Sequence, residues 1–456
     1  MLAPLIMQCA LLAGQVDGPP SMPARLSSAA APIRSIAQPR PPTAPPNRAN
    51  RGSAGTRRPG DRLGGPRNPS GRSGGQPGRT PNALGTPLAQ PEPPTQPAQP
   101  LLRRGFTREE PPPGQLHVGG WFDGSYTAST DRNNQLPMGF NYRANQFLLQ
   151  QNWVRIERGI RKDDDEASFG FLSDTILPGS DYRFTLPRGI FNRQLVANHG
   201  QPNLYGIDPV RFYAEGFFPN VAQGMDVRLG RFYAPWGIEA VDAPSNTFLS
   251  HTYTFVYDPF TQTGIMATTK LSDAWSSQSA LVLGNDEFIT PGNQLKFSGN
   301  LQWDAPDRPD ALRFSMILGS PRYRTRYQLD NLNLFELIYS LEINPKLKYI
   351  FATTFGYQTG VPGLGLADWI GYQNYLTREL TEKLTAALRV ELFEDYKGQR
   401  TGFAGLYTDV TAGIQIQLTE RIRIRPELRF DNNSRSRPFE GHHSVFTAAT
   451  DVIIRW

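Results

Sequence analysis

The thirteen residues Ser444-Val-Phe-Thr-Ala-Ala-Thr-Asp-Val-Ile-Ile-Arg-Trp456 decide how the rest of the chain is read. One parity carries Phe446, Ala448, Thr450, Val452, Ile454 and Trp456, while the other carries Thr447, Asp451 and Arg455 among apolar residues. Successive side chains of a strand point to opposite faces, so this is a strand with one greasy face. It ends on an aromatic ring, whereas the last residues of a soluble domain are usually frayed and polar. Apolar toward lipid, polar toward a lumen and aromatic at the interface is the expected make-up of the final strand of a transmembrane β-barrel. A soluble β-domain that stops in a strand gives the same local pattern, and the upstream segments decide between the two.

The alternation recurs upstream, with turn signals between the segments. Leu295, Phe297, Gly299, Leu301 and Trp303 oppose Lys296, Ser298, Asn300 and Gln302. Leu312, Phe314, Met316 and Leu318 oppose Arg313 and Ser315, and Leu384, Ala386, Leu388, Val390 and Leu392 oppose Thr385, Arg389 and Glu391. Leu406, Val410, Ala412, Ile414, Ile416 and Leu418 oppose Asp409, Thr411, Gln415 and Gln417. Less regular segments open at Leu116, Asn145, Ala167, Pro209, Met225, Gly264, Trp275, Leu332, Leu347, Asp368 and Ile422. With the terminal strand these predict an all-β fold, a single antiparallel barrel of about sixteen strands, to within two.

Connection lengths test this independently. Residues 272–274, 344–346, 381–383 and 419–421 are tight, while 233–263, 320–331, 358–367, 395–403 and 432–443 are long, and 175–208 is the longest. Outer-membrane barrels alternate short periplasmic turns with long outer loops, so an even strand number follows with both ends of the barrel on the short-turn side. That placement puts Trp275, Trp303, Tyr349 and Trp456 on the apolar parity at the periplasmic ends of their strands, an aromatic girdle between acyl chains and water. A soluble sandwich has no reason to gather tryptophan there.

Composition sets the remaining bounds. More than half of the 41 prolines lie at or before Pro113, which divides the chain into a tail and a folded part. No run of 18 apolar residues exists, so a membrane-spanning structure has to be a closed barrel, whose strands each show half their side chains to water. Residues 1–14 read as a signal-like segment, atypical or truncated because it lacks a basic start. Residues 15–115 read as a disordered Pro/Gly/Arg-rich tail, and 116–456 as the barrel. Cys9, the single cysteine, lies in the apolar run 2–13, which fits an exported thiol-free protein and excludes a cysteine metal or redox site. The tail holds 14 Arg, no Lys and 5 acids, so the basic balance of the chain resides there. It is read as a solvated periplasmic spacer or as electrostatic attachment to an anionic cell-wall polymer. With Phe106 its single aromatic, it offers no stacking platform for nucleic acid.

Charge on the barrel strands is expected to face the lumen. Arg421, Arg423, Arg425 and Arg429 share one parity with Glu427, while Ile422, Ile424, Leu428 and Phe430 take the other. An Arg on the lipid face near the midplane costs about 2–4 kcal/mol, which turns this ladder inward. With Arg313, Arg389 and Glu391 it supplies the candidate pore charge. Two readings stay open: a field that attracts anions, or a structural ladder paired with acids such as Asp409 and Asp451. Loops 175–208 and 233–263 are too long for plain connectors. One is expected to enter the lumen as a constriction, with Glu239 and Asp242 meeting lumen Arg or a solute; a surface lid or a contact between protomers is the alternative.

Val227-Arg-Leu-Gly-Arg-Phe-Tyr-Ala-Pro-Trp-Gly-Ile-Glu239, Asp242-Ala-Pro-Ser-Asn246, Ser250-His-Thr-Tyr253 and Pro259-Phe-Thr-Gln-Thr-Gly264 together resemble the family of OmpL-like β-barrel porins of the outer membrane. Gln201-Pro-Asn203 and Arg425-Pro-Glu-Leu-Arg-Phe-Asp431 are similar to further patches of that family, and the likeness spans about 116–456. The resemblance implies an outer-membrane pore, and implies that the C-terminal aromatic is read by the barrel-insertion machinery. It supplies no substrate and no site residues.

An enzyme is the rival of a different class. His117, His199, His251, His442 and His443 show no metal spacing, and Ser250 and His251, as strand neighbours, would point to opposite faces. No Gly-rich phosphate loop opens a helix. The expectation is therefore a passive porin for small hydrophilic solutes or ions, without cofactor, metal or catalytic residue, embedded in outer-membrane lipid. The sequence leaves its oligomeric state open, a homo-oligomer included. The competing expectation is a sealed barrel that anchors the outer membrane to the cell wall through the tail.

Overall fold

The computed structural model describes residues 113–456 apart from 163–164, 187–190, 289–294 and 324–328. The expectations for residues 1–14 and for the tail up to 112 lie outside the described residues. Sixteen strands form among the described residues: β1 Leu116–Ser129, β2 Gln146–Arg158, β3 Ser168–Gly179, β4 Gly206–Phe218, β5 Met225–Tyr233, β6 Thr261–Lys270, β7 Trp275–Asn285 and β8 Lys296–Asp304. They continue with β9 Ala311–Leu318, β10 Asn333–Asn344, β11 Leu347–Val361, β12 Gly365–Thr381, β13 Leu384–Asp395, β14 Gly405–Gln417, β15 Ile422–Asn433 and β16 Ser444–Arg455. Each pairs antiparallel with its neighbours in sequence, and β16 closes the ring on β1 from Trp121↔Arg455 to Ser129↔Thr447.

Closure leaves no sheet edge, which lipid could not satisfy. At the seam, Gly120 N donates to Trp456 O at 3.2 Å and Trp456 N to Gly120 O at 3.1 Å. Only glycine fits at 120, because a Cβ there would lie 1.9 Å from the Trp153 carbonyl oxygen.

Burial is inverted relative to a soluble protein. Outward Phe169 and Leu229 are each 63% exposed, whereas inward Arg389, Glu391 and Asp409 are 0% exposed. Such a band of large apolar side chains on the outer wall requires lipid around it. At the short-turn end Trp275 lies opposite Trp303 across β7 and β8, and Trp456 stands 6.5 Å from the Phe122 ring. Tyr349 reaches sideways instead: its hydroxyl donates to Asn374 Oδ1 at 2.7 Å, covering a polar group on the outward parity of β12.

One expected connection differs. The long loop read over 358–367 shrinks to 362–364, because β11 and β12 continue past a bulge to the pair Val361↔Gly365. Apolar alternation ends where lipid ends, whereas backbone pairing needs only a partner, so the pattern underestimates strands that rise above the bilayer.

Candidate functional site: the lumen and its infolded loop

Residues 234–260, between β5 and β6, fold into the barrel and run along the inside of its wall. Pro235, Pro244 and Pro259 keep the segment from joining a strand, and Gly237 takes φ +81°, where other residues are strained. The wall reads the loop's backbone alternately. Its guanidinium groups donate to carbonyls: Arg425 Nη1 to Ala243 O at 3.0 Å, Asn246 O at 2.9 Å and Phe248 O at 2.8 Å. Arg423 donates to Pro244 O at 3.1 Å, Arg389 to Ser250 O at 2.6 Å, Arg429 to His251 O at 2.6 Å, and Arg313 to Gly237 O. Its carboxylates accept from amides: Glu427 from Leu249 N at 2.8 Å and Ser250 N at 3.2 Å, Glu391 from Tyr253 N at 2.6 Å and Thr254 N at 2.8 Å. Glu336 accepts from Gly237 N at 3.1 Å. These charge-assisted bonds are the strong kind, and they satisfy a loop backbone that water cannot reach.

The ladder is paired sideways as well. Arg425 Nε lies 3.1 Å from Asp451, Arg429 Nη2 is 2.7 Å from Asp431 and its Nε is 3.5 Å from Asp409. Arg389 Nε is 2.8 Å from Asp409 and its Nη1 3.3 Å from Glu239. Arg313 lies 3.9 Å from Glu336. Arg421 stands apart, exposed in the turn before β15. The arginines read as pore charge thus lie largely under the loop.

Glu239 is the centre of the loop's own polar contacts. It pairs with Arg389, accepts from the Tyr375 hydroxyl, and lies 2.7 Å from His251 Nδ1. Burial works against its charge, but His251, Arg389 and Tyr375 hold its carboxyl down at about 2. Burial also pushes the His251 imidazole below its ordinary range, so near pH 7 it is a neutral ring donating Nδ1–H to Glu239. That ring stacks on Phe255 at 4.3 Å. Ser250 Oγ accepts from Arg389 Nη2 at 3.0 Å, so Ser250 and His251 are committed to different partners. Asp258, buried where the loop turns back, is pushed up to about 8 and accepts from Trp236 Nε1 at 2.8 Å. Phe140, from the loop between β1 and β2, packs 5.7 Å from Phe260, adding apolar contact inside the barrel.

The wall from β2 to β5 carries further charge, and the loop reaches it where Gln151 of β2 donates to Val241 O at 2.8 Å and accepts from Ala243 N at 3.1 Å. There Asp174 of β3 holds Arg155 of β2, with Nε at 2.6 Å and Nη2 at 2.8 Å, and Arg211 of β4, with Nε at 2.9 Å and Nη2. Arg228 pairs with Glu215 at 3.2 Å, and Lys162 with Asp226. In each pair the base reaches water further than its acid: 13% against 0% for Arg155 and Asp174, 30% against 10% for Arg228 and Glu215. Asp242, whose carboxylate accepts from Ser245, lies within Coulomb range of Arg155 and Arg211. The available signal was the lumen parity itself: Trp153, Arg155 and Glu157 on β2, and Arg211, Tyr213 and Glu215 on β4, flank the longest loop.

Residues 115–455 match the family described as "Putative beta-barrel porin-2, OmpL-like". No curated protein sequence matches the chain. Among solved structures the fold is similar to the anion-selective porin from Comamonas acidovorans, at 11% identity over 75% of this chain and 99% of that one, TM-score 0.52. It is also similar to the outer-membrane channel DcaP of Acinetobacter baumannii, at 9% identity over 77% and 99%, TM-score 0.50. Salmonella typhi OmpF in complex with daunomycin matches at 11% identity over 75% and 97%, TM-score 0.52. Identities this low report shared architecture alone. With a closed ring, an apolar exterior, a charged interior and a family match over nearly the whole barrel, the chain belongs to the OmpL-like family of outer-membrane β-barrel porins.

Proposed function

We propose that small hydrophilic solutes diffuse passively through this barrel, past the infolded loop 234–260 and along the part of the β2–β5 wall that carries Arg155, Arg211 and Arg228. The observation that carries the reading is the division of the lumen. The Arg ladder of β13 and β15 is withdrawn from water beneath the loop, while Arg155, Arg211, Arg228 and Lys162 keep 13%, 14%, 30% and 34% exposure. Loop position sets the width, and the exposed bases tilt the field toward anions, because the acids that hold them lie deeper. The ladder fastens the loop. No chemical step is involved. β1 begins at the short-turn end, which supports a periplasmic location for the tail.

Planar-bilayer recording tests this directly. Purified protein is expected to give discrete conductance steps in KCl, with larger steps on deletion of residues 240–252. A second reading is favoured by the apolar packing of Phe140, His251, Phe255 and Phe260 inside the barrel, which suits a sealed anchor joined to the cell wall by the tail. It predicts no conductance and loss of wall association on deletion of residues 15–114.

A further inference from the structure

The diffusion reading leaves open what the charged wall selects, and the Arg155–Asp174–Arg211 cluster is built for more than repulsion of cations. Asp174 binds both guanidinium groups through Nε and Nη2. Nη1 of each has no hydrogen-bond partner among the described residues, and the two side chains keep 13% and 14% exposure. The planes are fixed by stacking, Arg155 over Trp121 at 5.8 Å and Arg211 over Tyr233 at 3.9 Å. The Tyr233 hydroxyl is buried and has no partner among the described residues, an orphan donor beside Arg211. Asp174 is itself anchored by Trp153 Nε1 at 3.0 Å, so the cluster is rigid before any solute arrives.

We infer that Arg155, Arg211 and Tyr233 form a saturable binding site for small monocarboxylates on the solute path, an inference that rests on the diffusion reading. A carboxylate presents two oxygens to N–H donors arriving from two strands, the geometry for which guanidinium is suited. The charge count favours one negative charge over two. Within the bonded cluster Asp174 cancels one of the two guanidinium charges and one positive charge remains, while Asp242, in Coulomb range but bonded to neither arginine, weakens the attraction for the first negative charge and opposes a second. Net attraction of one charge also keeps binding weak enough for release, as passage requires.

The test uses the full chain in planar bilayers with potassium acetate as the probe, and tryptophan fluorescence of the same protein in vesicles titrated with acetate, since Arg155 lies on Trp121. Wild-type acetate current is expected to saturate with concentration. Arg211→Gln and Tyr233→Phe should raise the half-saturating concentration, by about tenfold for the former, as loss of a charge-assisted hydrogen bond implies. Tyr233→Phe removes one oxygen only, so it reports on the site even if Arg211→Gln folds poorly. Acetate current that rises linearly in the wild type, or saturates equally in both variants, overturns the site while KCl conductance leaves the porin intact. Saturable fluorescence change without conductance supports the site and overturns diffusion instead. Inorganic phosphate saturating at lower concentration than acetate overturns the monocarboxylate assignment.

Discussion

Removing Arg425 is the sharpest test of how the lumen is built. Its side chain donates to three loop carbonyls at 2.8–3.0 Å and to Asp451, which is 0% exposed. Hydrogen bonds from a charged donor are worth about 1.5–3 kcal/mol each, and Nη1 has two protons to share among its three carbonyls, so the loop bonds at the lower figure come to about 3 kcal/mol. At 1.4 kcal/mol per tenfold, Arg425→Ala should shift loop docking by about two powers of ten toward release. A further cost of about 3–5 kcal/mol falls on the barrel, because Asp451 is left as a buried unpaired charge. The double variant Arg425→Ala with Asp451→Ala removes that second cost and keeps the first. Two readouts follow: single-channel conductance, expected to gain a larger or flickering state, and chymotrypsin cleavage at Phe248, Tyr253 or Phe255 in proteoliposomes. The loop holds no Lys or Arg, so trypsin serves as the control protease. If the double variant inserts normally yet matches wild type in conductance and protease resistance, the ladder does not fasten the loop.

Other outcomes are expected from individual contacts. Asp258 is pushed up to about 8 by burial, so the docked loop holds its proton more tightly than an extended chain does, and docking weakens as pH rises from about 4 through 8. Chymotrypsin sensitivity should therefore climb toward pH 9 in wild type and climb less in Asp258→Asn, whose amide oxygen still accepts from Trp236, while Arg400, Glu336 and Glu391, which act on Asp258 electrostatically, stay in place. Tyr349→Phe strands Asn374 on the outer wall without its hydroxyl and should lower unfolding stability in vesicles by about 1–2 kcal/mol, measured by urea titration, with conductance unchanged. Trp456→Ala removes the ring beside Phe122 at the closing seam and should slow assembly, followed by heat-modifiable gel mobility, while whatever inserts conducts normally. Arg423→Gln lies under the loop and should leave the reversal potential in a KCl gradient unchanged, whereas Arg228→Gln should move it toward cations.

Sixteen strands and their lumen parity were legible because a barrel strand writes its two environments into alternate residues, as Ile422, Ile424 and Leu428 against Arg423, Arg425 and Glu427 show. That a long loop would enter was legible from length. Which wall receives it was not: the match between Arg425 and three carbonyls far along the chain exists only after closure. The grouping of Arg155 with Arg211 was not legible, because bulges at Asp123/Gly124 and Asp174/Ile176 break the alternation of the strands around them.

A ring offers no free edge to peel, so under mechanical load it fails where its rungs are fewest. β2 and β3 keep register only from Trp153↔Ile176 to Arg158↔Phe171, while β11 and β12 stay paired from Leu347↔Arg378 to Val361↔Gly365. Asp174 straddles the short seam, tied to Trp153 and Arg155 on one side and to Arg211 on the other, and serves as a rivet where backbone rungs run out. The residue that aims two guanidinium groups at passing solute thus also sets the tension at which the wall parts, and Asp174→Asn should lower the rupture force of single barrels drawn from a bilayer by a force probe.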